Sequence, residues 1–360
     1  MRIAFLIRSL GSGGAERAAI SLAGCMARKG HDVLLCVLTN EKAFYTVDPA
    51  VTTVCIDTQS DGRGTIAPTD FLRRVAALRR MLRLQKPQIL VGMSHTMSVY
   101  AVLAARALPV RTVGTERANP FVYSATPLHT ALRKWAAVRC DGFVCQTQKA
   151  LSFFPPSVRK KAKIIPNGLF NPLIENISVP NEREKTITAM GRLDRNKGFD
   201  LLLHAFRTIH DRAPEYTLTI FGEGELRNEL TALAAKLDVA SAVSLPGNDP
   251  NALCTIAKSS AFVLSSRSEG MPNALMEAMA VGVPCVAARC DMGPEDLIED
   301  GVNGLLVPVE DPDAISQAVL RIIRYRNISE SLSACSLRIR NTHSLDFVAG
   351  CWLDYFGTLL

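Results

Sequence analysis

The sequence predicts an α/β protein with two doubly wound parallel sheets, one in each half of the chain. Short apolar runs alternate with stretches of helical periodicity from residue 2 to residue 356, which is the pattern of consecutive βα units. Polar or glycine-containing loops follow these runs, and 360 residues are enough for two domains of ordinary size. Since ligands bind at the carboxyl ends of the strands in such sheets, a site is expected in those loops.

In the first half, six apolar runs predict strands. They are residues 2–10, 32–39, 51–57, 88–94, 111–116 and 142–146. Helices are predicted at about residues 15–28 and 70–84, with a loop at residues 59–64 before the second helix. Residues 163–168 close this half, which is therefore predicted to form a first Rossmann-like domain over residues 1–172.

The second half repeats the pattern. Its predicted strands are residues 186–191, 217–221, 243–246, 261–264, 284–287 and 305–307. Its predicted helices begin at about Phe199 and cover residues 312–326 and 344–356. We therefore expect a linker at residues 173–184, a second Rossmann-like domain at 185–343 and a final helix within 344–360.

The composition is that of a globular protein, with 48% hydrophobic and 21% charged residues. The ten cysteines contain no C-x2-C pair and lie mostly inside apolar runs, which favours free thiols in a reduced, cytoplasmic protein. A signal peptide is not expected, because Arg8 interrupts the first apolar run. Residues 87–105 carry no charge, but polar side chains at their centre favour a strand, a loop and a helix over a membrane span.

Positive charge is concentrated in the first half of the chain. Residues 1–172 hold 24 Lys and Arg residues against 9 Asp and Glu residues, a net charge of +15, and the remainder has a net charge of −8. This asymmetry favours an anionic partner for the first domain, either a membrane or a polyanion, and an anionic membrane surface is the one we expect. Aromatic residues beside a cationic run at residues 153–163 support the same expectation.

The predicted helix at residues 70–84 has an apolar stripe and a set of arginines. The stripe consists of Phe71, Leu72, Val75, Leu78 and Leu82, and the arginines are Arg73, Arg74, Arg79, Arg80 and Arg83. A basic amphipathic helix of this kind can lie on an anionic membrane. It can equally pack the stripe on its own sheet and leave the arginines in water, so both interpretations stay open.

One stretch of the second half, residues 261–286, predicts an anion site. It begins as a buried strand, breaks at the polar turn of residues 265–270 and continues as a helix with Leu275, Ala278 and Met279 facing inward. The first N–H groups of a helix have no partner within the helix and point at a bound anion. A strand, a polar loop and a helix N-terminus therefore form a phosphate-binding corner.

Two carboxylates bracket this corner. Glu269 and Glu277 are eight residues apart, slightly more than two helical turns, so they can face the same side if the loop folds back over the helix. A carboxylate repels phosphate but accepts hydrogen bonds from both hydroxyls of a ribose. The alternative is that Glu277 is a solvated helix residue and that Glu269 only caps the helix.

A second glycine-rich turn, at residues 11–14, connects the first strand to the first helix. It lacks the G-x-G-x-x-G spacing because Glu16 takes the sixth position, and a plain βα connection explains it equally well. Polar residues also follow two later strands of this half, at residues 94–96 and 115–119. They are candidates for a site at the carboxyl edge of the first sheet.

Several short motifs occur in a fixed order along nearly the whole chain. They are residues 13–17, 166–168, 191–193 with 197–198, 222–224, 268–273 with 277–280, and 303–306. Together these motifs resemble the retaining nucleotide-sugar glycosyltransferases of family 4. The resemblance implies the GT-B fold, in which two Rossmann-like domains face a cleft and the C-terminal helix, near Trp352, crosses back to the first domain.

The resemblance also implies a site for a nucleotide-sugar donor. The donor-binding residues expected from it are Gly13, Gly14, Arg192, Lys197, Gly247, Asn248, Gly270, Met271, Pro272, Asn273 and Glu277. Glu269 and Glu277 match the family's E-x7-E pair, of which the second residue binds the ribose. The first, Glu269, reaches the sugar or its diphosphate and is an expected catalytic residue. Such enzymes typically need no metal or other cofactor. A UDP-sugar is expected because UDP donors are frequent among similar enzymes.

At the end of the strand at residues 111–116 the chain departs from many relatives, which have a histidine there. Thr115, Glu116 and Arg117 occupy this position, as in the branch that resembles bacterial enzymes building polyprenyl-diphosphate-linked oligosaccharides and exopolysaccharides. Glu116 could then orient the acceptor hydroxyl or take its proton. His95, one strand earlier, is the rival for this role.

The resemblance implies transfer with retention, in which the acceptor attacks from the side of the leaving diphosphate. We expect a hexose or N-acetylhexosamine to pass to a glycan hydroxyl, on an acceptor linked to a polyprenyl diphosphate at the cytoplasmic face of the membrane. The acceptor-binding residues expected are Glu16, Arg17 and Asn119. The protein would therefore associate peripherally with the inner face of the cell membrane.

Other classes of protein share parts of this pattern. A dinucleotide-dependent oxidoreductase would need the G-x-G-x-x-G spacing that the first loop lacks. A nucleotide-sugar epimerase or a phosphorylase could share the two-domain fold, but the first needs no acceptor and the second is usually much longer. A nucleic-acid binder would explain the charge, yet no recognition motif is present and only 6% of the residues are aromatic. We expect no nucleic-acid partner, and the epimerase is the alternative function.

Overall fold

The computed structural model describes residues 1–11, 13–39, 43–57, 68–122 and 126–360. The predicted loop at residues 59–64 and Ser12 of the first glycine-rich turn lie outside the described residues. The chain forms two compact units, of which the first contains Met1–Phe170 and His343–Leu360 and the second contains Asn171–Thr342. The last residues of the chain therefore pack with its first half, as the resemblance implies.

Each unit is built on a fully parallel sheet. The strands of the first unit are β1 (Arg2–Ile7), β2 (Asp32–Thr39), β3 (Thr52–Asp57), β4 (Ile89–Gly92), β5 (Arg111–Glu116), β6 (Gly142–Cys145) and β7 (Ala162–Ile164). Those of the second unit are β8 (Glu184–Met190), β9 (Thr217–Phe221), β10 (Val243–Gly247), β11 (Ser259–Leu264), β12 (Cys285–Ala288) and β13 (Leu305–Val307). The strand orders are β3-β2-β1-β4-β5-β6-β7 and β10-β9-β8-β11-β12-β13. These orders confirm the predicted doubly wound α/β class.

Helices connect the strands. Those of the first half are α1 (Gly14–Arg28), α2 (Pro68–Gln85), α3 (His95–Ala105), α4 (Pro127–Arg139), α5 (Gln148–Ser152) and α6 (Pro156–Arg159). Those of the second half are α7 (Phe199–Arg212), α8 (Arg227–Lys236), α9 (Ala252–Lys258), α10 (Asn273–Ala280), α11 (Pro294–Leu297), α12 (Pro312–Arg324), α13 (Arg326–Ser336), α14 (Ile339–Thr342) and α15 (Leu345–Gly357). In both orders the direction of winding reverses at the strand that begins the unit, β1 or β8, beside β4 or β11. The loops after these central strands are therefore the places for ligands.

The sheet of the first unit is covered on both faces, because alternate residues of a strand point to opposite sides. Along β1, Phe5 packs in a core that includes α1 and α15, whereas Leu6 packs in a second core that includes α2 and α3. In the second unit, Ile187 and Ile220 belong to a core that includes α7 and α12. Burial on both faces explains why these strands read as continuous apolar runs.

The last helix is bonded to the sheet of the first unit. Trp352 and Phe356 of α15 are buried against α1 and β1 in the same core. The hydroxyl of Tyr355 accepts a hydrogen bond from the Phe143 N–H (2.9 Å) and donates one to the carbonyl of Lys161 (2.6 Å). A Cβ on residue 142 would lie 2.6 Å from this hydroxyl. Because Gly142 has no Cβ, α15 can approach β6 closely.

The observed elements follow the predicted ones closely where the apolar run is long. Four predicted strands, residues 32–39, 111–116, 217–221 and 305–307, have the observed bounds, and most other strands differ by one or two residues at either end. The first strand ends at Ile7 instead of residue 10. The predicted helix at residues 312–326 ends at Arg324. No bounds were predicted for strand β7 or for the helices α4, α5, α6, α8, α9, α11, α13 and α14.

The segment predicted as a linker, residues 173–184, packs on the second unit. It begins within a 3-10 helix, Pro172–Asn176, whose Ile174 is buried. The guanidinium of Arg183 donates hydrogen bonds to the carbonyls of Ala257, Ser259 and Gly282. These contacts give the segment a fixed position because they satisfy carbonyl groups that would otherwise lack partners.

Two residues of α2 lie on sides of the helix that differ from the prediction. Leu72 was placed in the apolar stripe but is 66% exposed, and Arg74 was placed in water but is only 5% exposed. Leu72 is one residue, or about 100°, away from Phe71 around the helix, so it cannot share the face of Leu78 and Leu82. The stripe that packs on the sheet is therefore narrower than predicted.

A second arginine of α2 is also used in packing. The guanidinium of Arg79 donates hydrogen bonds to the carbonyls of Ala104 (2.9 Å) and Arg106 (2.6 Å) at the end of α3. Cations stabilise helix C-termini in this way, because the last carbonyls have no partner within the helix. The exposed arginines of α2 are Arg73, Arg80 and Arg83.

Among the described residues, the longest and most apolar helices still fall short of what a bilayer-crossing segment requires. Residues 87–105, which lack charge, contain β4 and α3 as predicted. All ten cysteines are free thiols, and most are buried. The structure thus agrees with the predicted state of the cysteines.

We expect the replacement of Trp352 by Ala to lower the free energy of unfolding by about 3–5 kcal/mol, because it leaves a cavity between α15 and α1. Phe347→Ala on the same helix is the matched control, since Phe347 is 52% exposed and its removal should cost less than about 0.5 kcal/mol. Urea unfolding followed by far-UV circular dichroism measures both. Equal midpoints for the two variants would contradict the assigned packing of α15.

Candidate functional site

Three loops meet at the carboxyl edge of the second sheet. They follow β8, β11 and β12, which are consecutive neighbours in the sheet. The N–H of Arg267 donates to the carbonyl of Asn196 (2.7 Å), and the hydroxyl of Ser265 donates to the carbonyl of Lys197 (2.9 Å). The polar turn after β11 is thus held against the loop after β8.

An ion pair joins the same two loops. Lys197 Nζ lies 2.6 Å from Glu269 Oε1, and the hydroxyl of Ser266 donates to the same oxygen at 2.7 Å. The carboxylate of Glu269 is buried and Lys197 is half-buried, so this pair is weakly screened by water. Two residues of the expected donor site are therefore in direct contact.

Gly198 permits the close approach of these loops. It has a φ of +62°, and a Cβ at this position would lie only 2.2 Å from the carbonyl oxygen of Ser265. Glycine adopts positive φ without steric cost and has no Cβ to clash. The Lys197–Gly198 motif thus needs its glycine for geometry.

Arg267 ties the turn after β11 to the rest of the unit. Its guanidinium forms a bidentate pair with Asp200 (2.7 and 2.8 Å), reaches Glu310 and donates to the carbonyl of Arg195 (2.8 Å). The hydrogen bonds from Arg267 lower the pKa of the Asp200 carboxyl below its usual value. This network keeps Ser266 and Glu269 in place at the edge of the sheet.

Glu277 lies within α10 and is buried. The interpretation of Glu277 as a solvated helix residue is therefore wrong. Pro272 is the residue that precedes the helix, and Leu275, Ala278 and Met279 are buried as predicted. Glu277 is thus a buried carboxylate within the short helix that follows the polar turn.

The turn before α10 is supported by a loop that was not predicted as part of the site. Gly293, after β12, has a φ of +91°, and a Cβ there would lie 2.5 Å from Pro272 and 2.8 Å from the carbonyl oxygen of Gly270. Met271 and Pro272 are buried, and Asn273 begins the helix. Four expected donor-site residues, 270–273, thus form one packed turn.

Arg192 is on the same loop as Lys197 but has a different environment. It is 74% exposed, and its guanidinium pairs with Asp194 at 2.8 Å. Asp194 also accepts hydrogen bonds from the N–H groups of Asn196 and Lys197, which shapes the loop. An exposed guanidinium retains the freedom to meet a phosphate in a bidentate way.

Gly247, at the end of β10, lies beside an ion pair between the loop after β9 and the first residue of α8. Arg227 and Glu223 form a bidentate pair (2.6 and 2.8 Å), and Arg227 donates to the carbonyl of Leu245 (2.9 Å). Gly247 has a φ of +86°, and its carbonyl accepts from the N–H of Gly222. The neighbouring Asn248 is exposed, so the loop expected to read the base is accessible at that residue.

In the first unit, β4, α3 and β5 are locked together at the carboxyl edge. The hydroxyl of Ser98 accepts a hydrogen bond from the N–H of Thr115 (3.2 Å), and the hydroxyl of Thr115 donates one to the carbonyl of Gly92 (2.9 Å). A Cβ on Gly92 would lie 2.6 Å from the backbone nitrogen of Ser98. This contact places His95, the first residue of α3, next to the end of β5.

Glu116 is the last residue of β5 and is buried beside Arg133 of α4. Its Oε2 lies 3.4 Å from Arg133 Nε, and its Oε1 accepts from the N–H of Ala118 (3.3 Å). Burial raises the pKa of the Glu116 carboxyl to about 7, although Arg133 and the backbone N–H groups of Ala118 and Arg117 act in the opposite direction. A carboxyl with this pKa can accept a proton near neutral pH.

His95 contacts the same arginine. Arg133 Nη2 lies 3.3 Å from His95 Nδ1. Burial, with smaller contributions from Arg133 and His129, lowers the pKa of His95 to about 4, so the imidazole is neutral at physiological pH. The two rival residues of the first unit are thus neighbours of one guanidinium.

A second polar network lies at the same edge. Arg117 and Gln146 both donate to the side-chain oxygen of Asn167, which joins the ends of β5, β6 and β7. Burial lowers the pKa of Arg117 to about 10, and the carboxylate of Glu16 partly opposes this change. A Cβ on Gly13 would lie 1.9 Å from that carboxylate, so Glu16 folds back over the start of α1.

The remaining predicted residues of the first unit have clear positions. Gly13 precedes α1 and Gly14 is its first, exposed residue. Arg17 is half-buried in the first turns of α1. Asn119 is fully buried, and its side-chain oxygen accepts from the N–H of Phe121 (3.0 Å), which shapes the loop after β5. Their expected roles toward donor and acceptor stay predictions.

Sequence reasoning missed three residues of these sites. Arg133, Ser266 and Gly293 contact residues that were predicted, but they stand outside the motifs. Ser266 lies within the polar turn predicted at residues 265–270, which pointed to the site, whereas Arg133 has no local signal. Within the described part of the chain, His, Cys, Asp and Glu side chains form no cluster of three that could hold a metal ion.

Two family models match the chain. One, described as glycosyl transferases group 1, matches residues 171–336, and the other, described as glycosyltransferase family 4, matches residues 12–169. A solved structure of Anabaena Alr3699/HepE in complex with UDP and glucose superimposes with a TM-score of 0.81 at 17% identity, over 99% of this chain and 100% of that one. This likeness shows the GT-B fold.

Curated glycosyltransferases are also similar to this chain in sequence. An uncharacterised glycosyltransferase of Haemophilus influenzae is 28% identical over 85% of each chain. A second relative, from Campylobacter jejuni, is 26% identical over 92% of this chain and 91% of that one. Its name is GalNAc-α-(1→4)-GalNAc-α-(1→3)-diNAcBac-PP-undecaprenol α-1,4-N-acetyl-D-galactosaminyltransferase. Both are similar to this chain along nearly its whole length.

We expect Gly198→Ala to destabilise the protein by more than about 2 kcal/mol, because a side chain there meets positive φ and the carbonyl of Ser265 together. Gly301→Ala is the matched control, since Gly301 has a φ of +77° with nothing near its missing Cβ and should cost about 1 kcal/mol. Thermal unfolding measures the difference. Identical melting temperatures would refute the close approach of the two loops.

Proposed function

The chain belongs to the group 1 and family 4 glycosyltransferases, and we propose that it transfers a hexose or N-acetylhexosamine from a UDP-sugar to a lipid-linked glycan. Transfer proceeds with retention of the anomeric configuration and without a metal ion. The relatives are glycosyltransferases, which favours a transferase over the epimerase alternative.

The observation that carries the proposal is the ion pair between Lys197 and Glu269 beside the start of α10. A diphosphate brings negative charge to this corner, so it competes with Glu269 for Lys197. Lys197 then neutralises the diphosphate, together with the N–H groups of the helix start. Glu269, released from its cation, becomes available to the hydroxyls of the sugar.

The other residues of the second unit complete the donor site in this proposal. Glu277 accepts hydrogen bonds from the ribose hydroxyls, and the exposed guanidinium of Arg192 binds the second phosphate. The loop at Gly247 and Asn248 contacts the base. The UDP in the HepE complex supports this nucleotide, and that structure also contains glucose.

The chemistry follows from where charge develops. As the glycosidic bond to the diphosphate breaks, negative charge grows on the leaving oxygen, and Lys197 and Arg192 stabilise it electrostatically. Two cations and a helix N-terminus supply the charge that a metal ion supplies in other enzymes. The acceptor hydroxyl attacks from the same side, and its proton passes to the leaving diphosphate or to Glu116.

The acceptor is proposed from the first unit. The Campylobacter jejuni relative is named for an undecaprenol-linked glycan, and the first half of this chain carries the net charge of +15. The exposed side of α2 presents Leu72 and Leu84 together with Arg80 and Arg83. Apolar side chains among arginines suit the interface of an anionic membrane, which is where such an acceptor lies.

We expect purified protein to release UDP from one UDP-sugar in a panel of UDP- and GDP-sugars when membrane lipid extract is added, and to do so in the presence of EDTA. Glu277→Gln and Lys197→Ala should each lower kcat/KM about 10- to 100-fold, because each removes a hydrogen bond to a charged group. Proton NMR of the product reads the anomeric configuration.

Glu330→Gln and Lys236→Ala are the controls for these two variants, since both side chains are exposed and distant from the expected donor residues in sequence. They should turn over the donor like wild type. Interconversion of the donor with an isomeric sugar nucleotide, without transfer, would establish the epimerase instead. An inverted product or loss of activity in EDTA would refute retention or metal independence.

We also expect the protein to co-sediment with liposomes that contain anionic lipid at low salt. Arg80→Gln/Arg83→Gln should weaken the partitioning about 30-fold, because each arginine near such a surface contributes about 1 kcal/mol. Arg321→Gln/Arg324→Gln is the matched control, with the same spacing on exposed positions of α12. Equal sedimentation of both double variants would rule out α2 as the membrane-binding surface.

A further inference from the structure

One buried guanidinium makes three contacts at the carboxyl edge where the two rival residues lie. Arg133 Nε lies 3.4 Å from Glu116 Oε2, Nη2 lies 3.3 Å from His95 Nδ1, and Nη1 donates to the carbonyl of Pro120 (3.2 Å). The side chain of Arg133 is almost fully buried. It belongs to α4, whereas Glu116 belongs to β5 and His95 to α3. Arg133 thus connects β5, α3 and the loop after β5.

The chemistry of a guanidinium restricts the protonation of His95. All the nitrogens of arginine donate hydrogen bonds and none accepts, and arginine does not lose its proton in proteins. His95 Nδ1 must therefore be the acceptor in this contact, and the ring proton is carried by Nε2. His95 is also the first residue of α3, where the helix dipole disfavours a positive imidazolium.

The same guanidinium favours the ionised form of the Glu116 carboxyl. A cation beside a carboxyl favours its ionised form, which has only acceptor sites. One oxygen of Glu116 contacts Arg133 and the other accepts from the N–H of Ala118. Ionised Glu116 is therefore a proton acceptor in a fixed orientation.

We propose that Arg133 is a positioning residue that gives the two neighbours different proton roles, Glu116 as the acceptor of a proton and His95 as a donor of a hydrogen bond through Nε2–H. This inference rests on the proposed function, because the proton in question belongs to the acceptor hydroxyl. His95 and Glu116 then act together, and they are no longer rivals for one role.

The charges around both groups agree with these roles. Glu116 faces Arg133 of α4, the backbone N–H groups of Arg117 and Ala118, and Cys145 of β6, whose thiol is neutral because burial and the Glu116 charge raise its pKa. Burial raises the pKa of Glu116 to about 7 against the effect of Arg133.

His95 faces Arg133 and His129, and its pKa is lowered to about 4 mainly by burial. Activity that needs ionised Glu116 and neutral His95 must therefore rise with pH through about 7, where Glu116 loses its proton, with His95 already neutral throughout that range.

The first test reads the tautomer of His95 directly. Two-bond ¹H–¹⁵N correlation spectra of the full chain resolve the imidazole nitrogens, and His95→Gln assigns the signal among the six histidines. We expect a wild-type ring with its proton on Nε2 that does not titrate between about pH 6 and 8. In Arg133→Gln the pKa should rise above about 4 but stay below the ordinary value of 6.5, because one neighbouring cation is removed while burial, the larger cause, remains.

The second test uses the pH dependence of kcat/KM for sugar transfer. Arg133→Gln should move the acidic limb to higher pH by at least about one unit, since loss of an adjacent opposite charge raises the pKa of a carboxyl by about 1–3 units. Arg133→Lys keeps the charge and should leave the limb near its wild-type position with a lower kcat. Arg139 is an exposed arginine on the same helix, and Arg139→Gln should leave the acidic limb and kcat unchanged.

The outcomes separate this inference from the proposed function. A proton on Nδ1 in wild type, or an unchanged His95 pKa in Arg133→Gln, overturns the inference even if sugar transfer is observed. An acidic limb that stays in place in Arg133→Gln overturns the role of Arg133 toward Glu116. The expected tautomer in a protein that transfers no sugar supports the assignment of the ring and refutes only the proposed function.

Discussion

In each unit, a buried carboxylate lies at the carboxyl edge of a parallel sheet beside a cation from a different element. Glu269 is paired with Lys197 from the loop after β8, and Glu116 is paired with Arg133 from α4. A carboxylate removed from water needs such a partner, because its solvation energy is lost on burial. The two pairs therefore hold the loops together and also place reactive charge where ligands bind in this fold.

The two pairs differ in what a ligand can do to them. Lys197 is half-buried and extends over Gly191, so an anion can compete for it. Arg133 is almost fully buried and contacts Glu116, His95 and the carbonyl of Pro120, so it is held in place. The first arrangement suits an ion pair that opens when a donor binds, and the second suits a preorganised group whose orientation does not change during reaction.

Much of the architecture could be predicted because it depends on local patterns. The alternation of apolar runs and helical stretches predicted both sheets, and the strand at residues 32–39 has the observed bounds. Short helices such as α9 were missed because seven residues give too little periodicity to distinguish them. Leu72 was placed on the wrong side of α2 because the predicted stripe was too wide for a helix that packs along one line.

The sequence by itself determined the family and the two βα series, because these follow from the order of short motifs and from the alternation of apolar runs and helical stretches along the chain. The tertiary structure decided which cation meets which carboxylate. Lys197 and Glu269 are 72 residues apart, and Arg133 and His95 are 38 residues apart. Strand order and helix packing bring such residues together, and no local periodicity records that order. For the same physical reason, the proton on His95 Nε2 follows only from the contact with Arg133, whose donors admit a single tautomer.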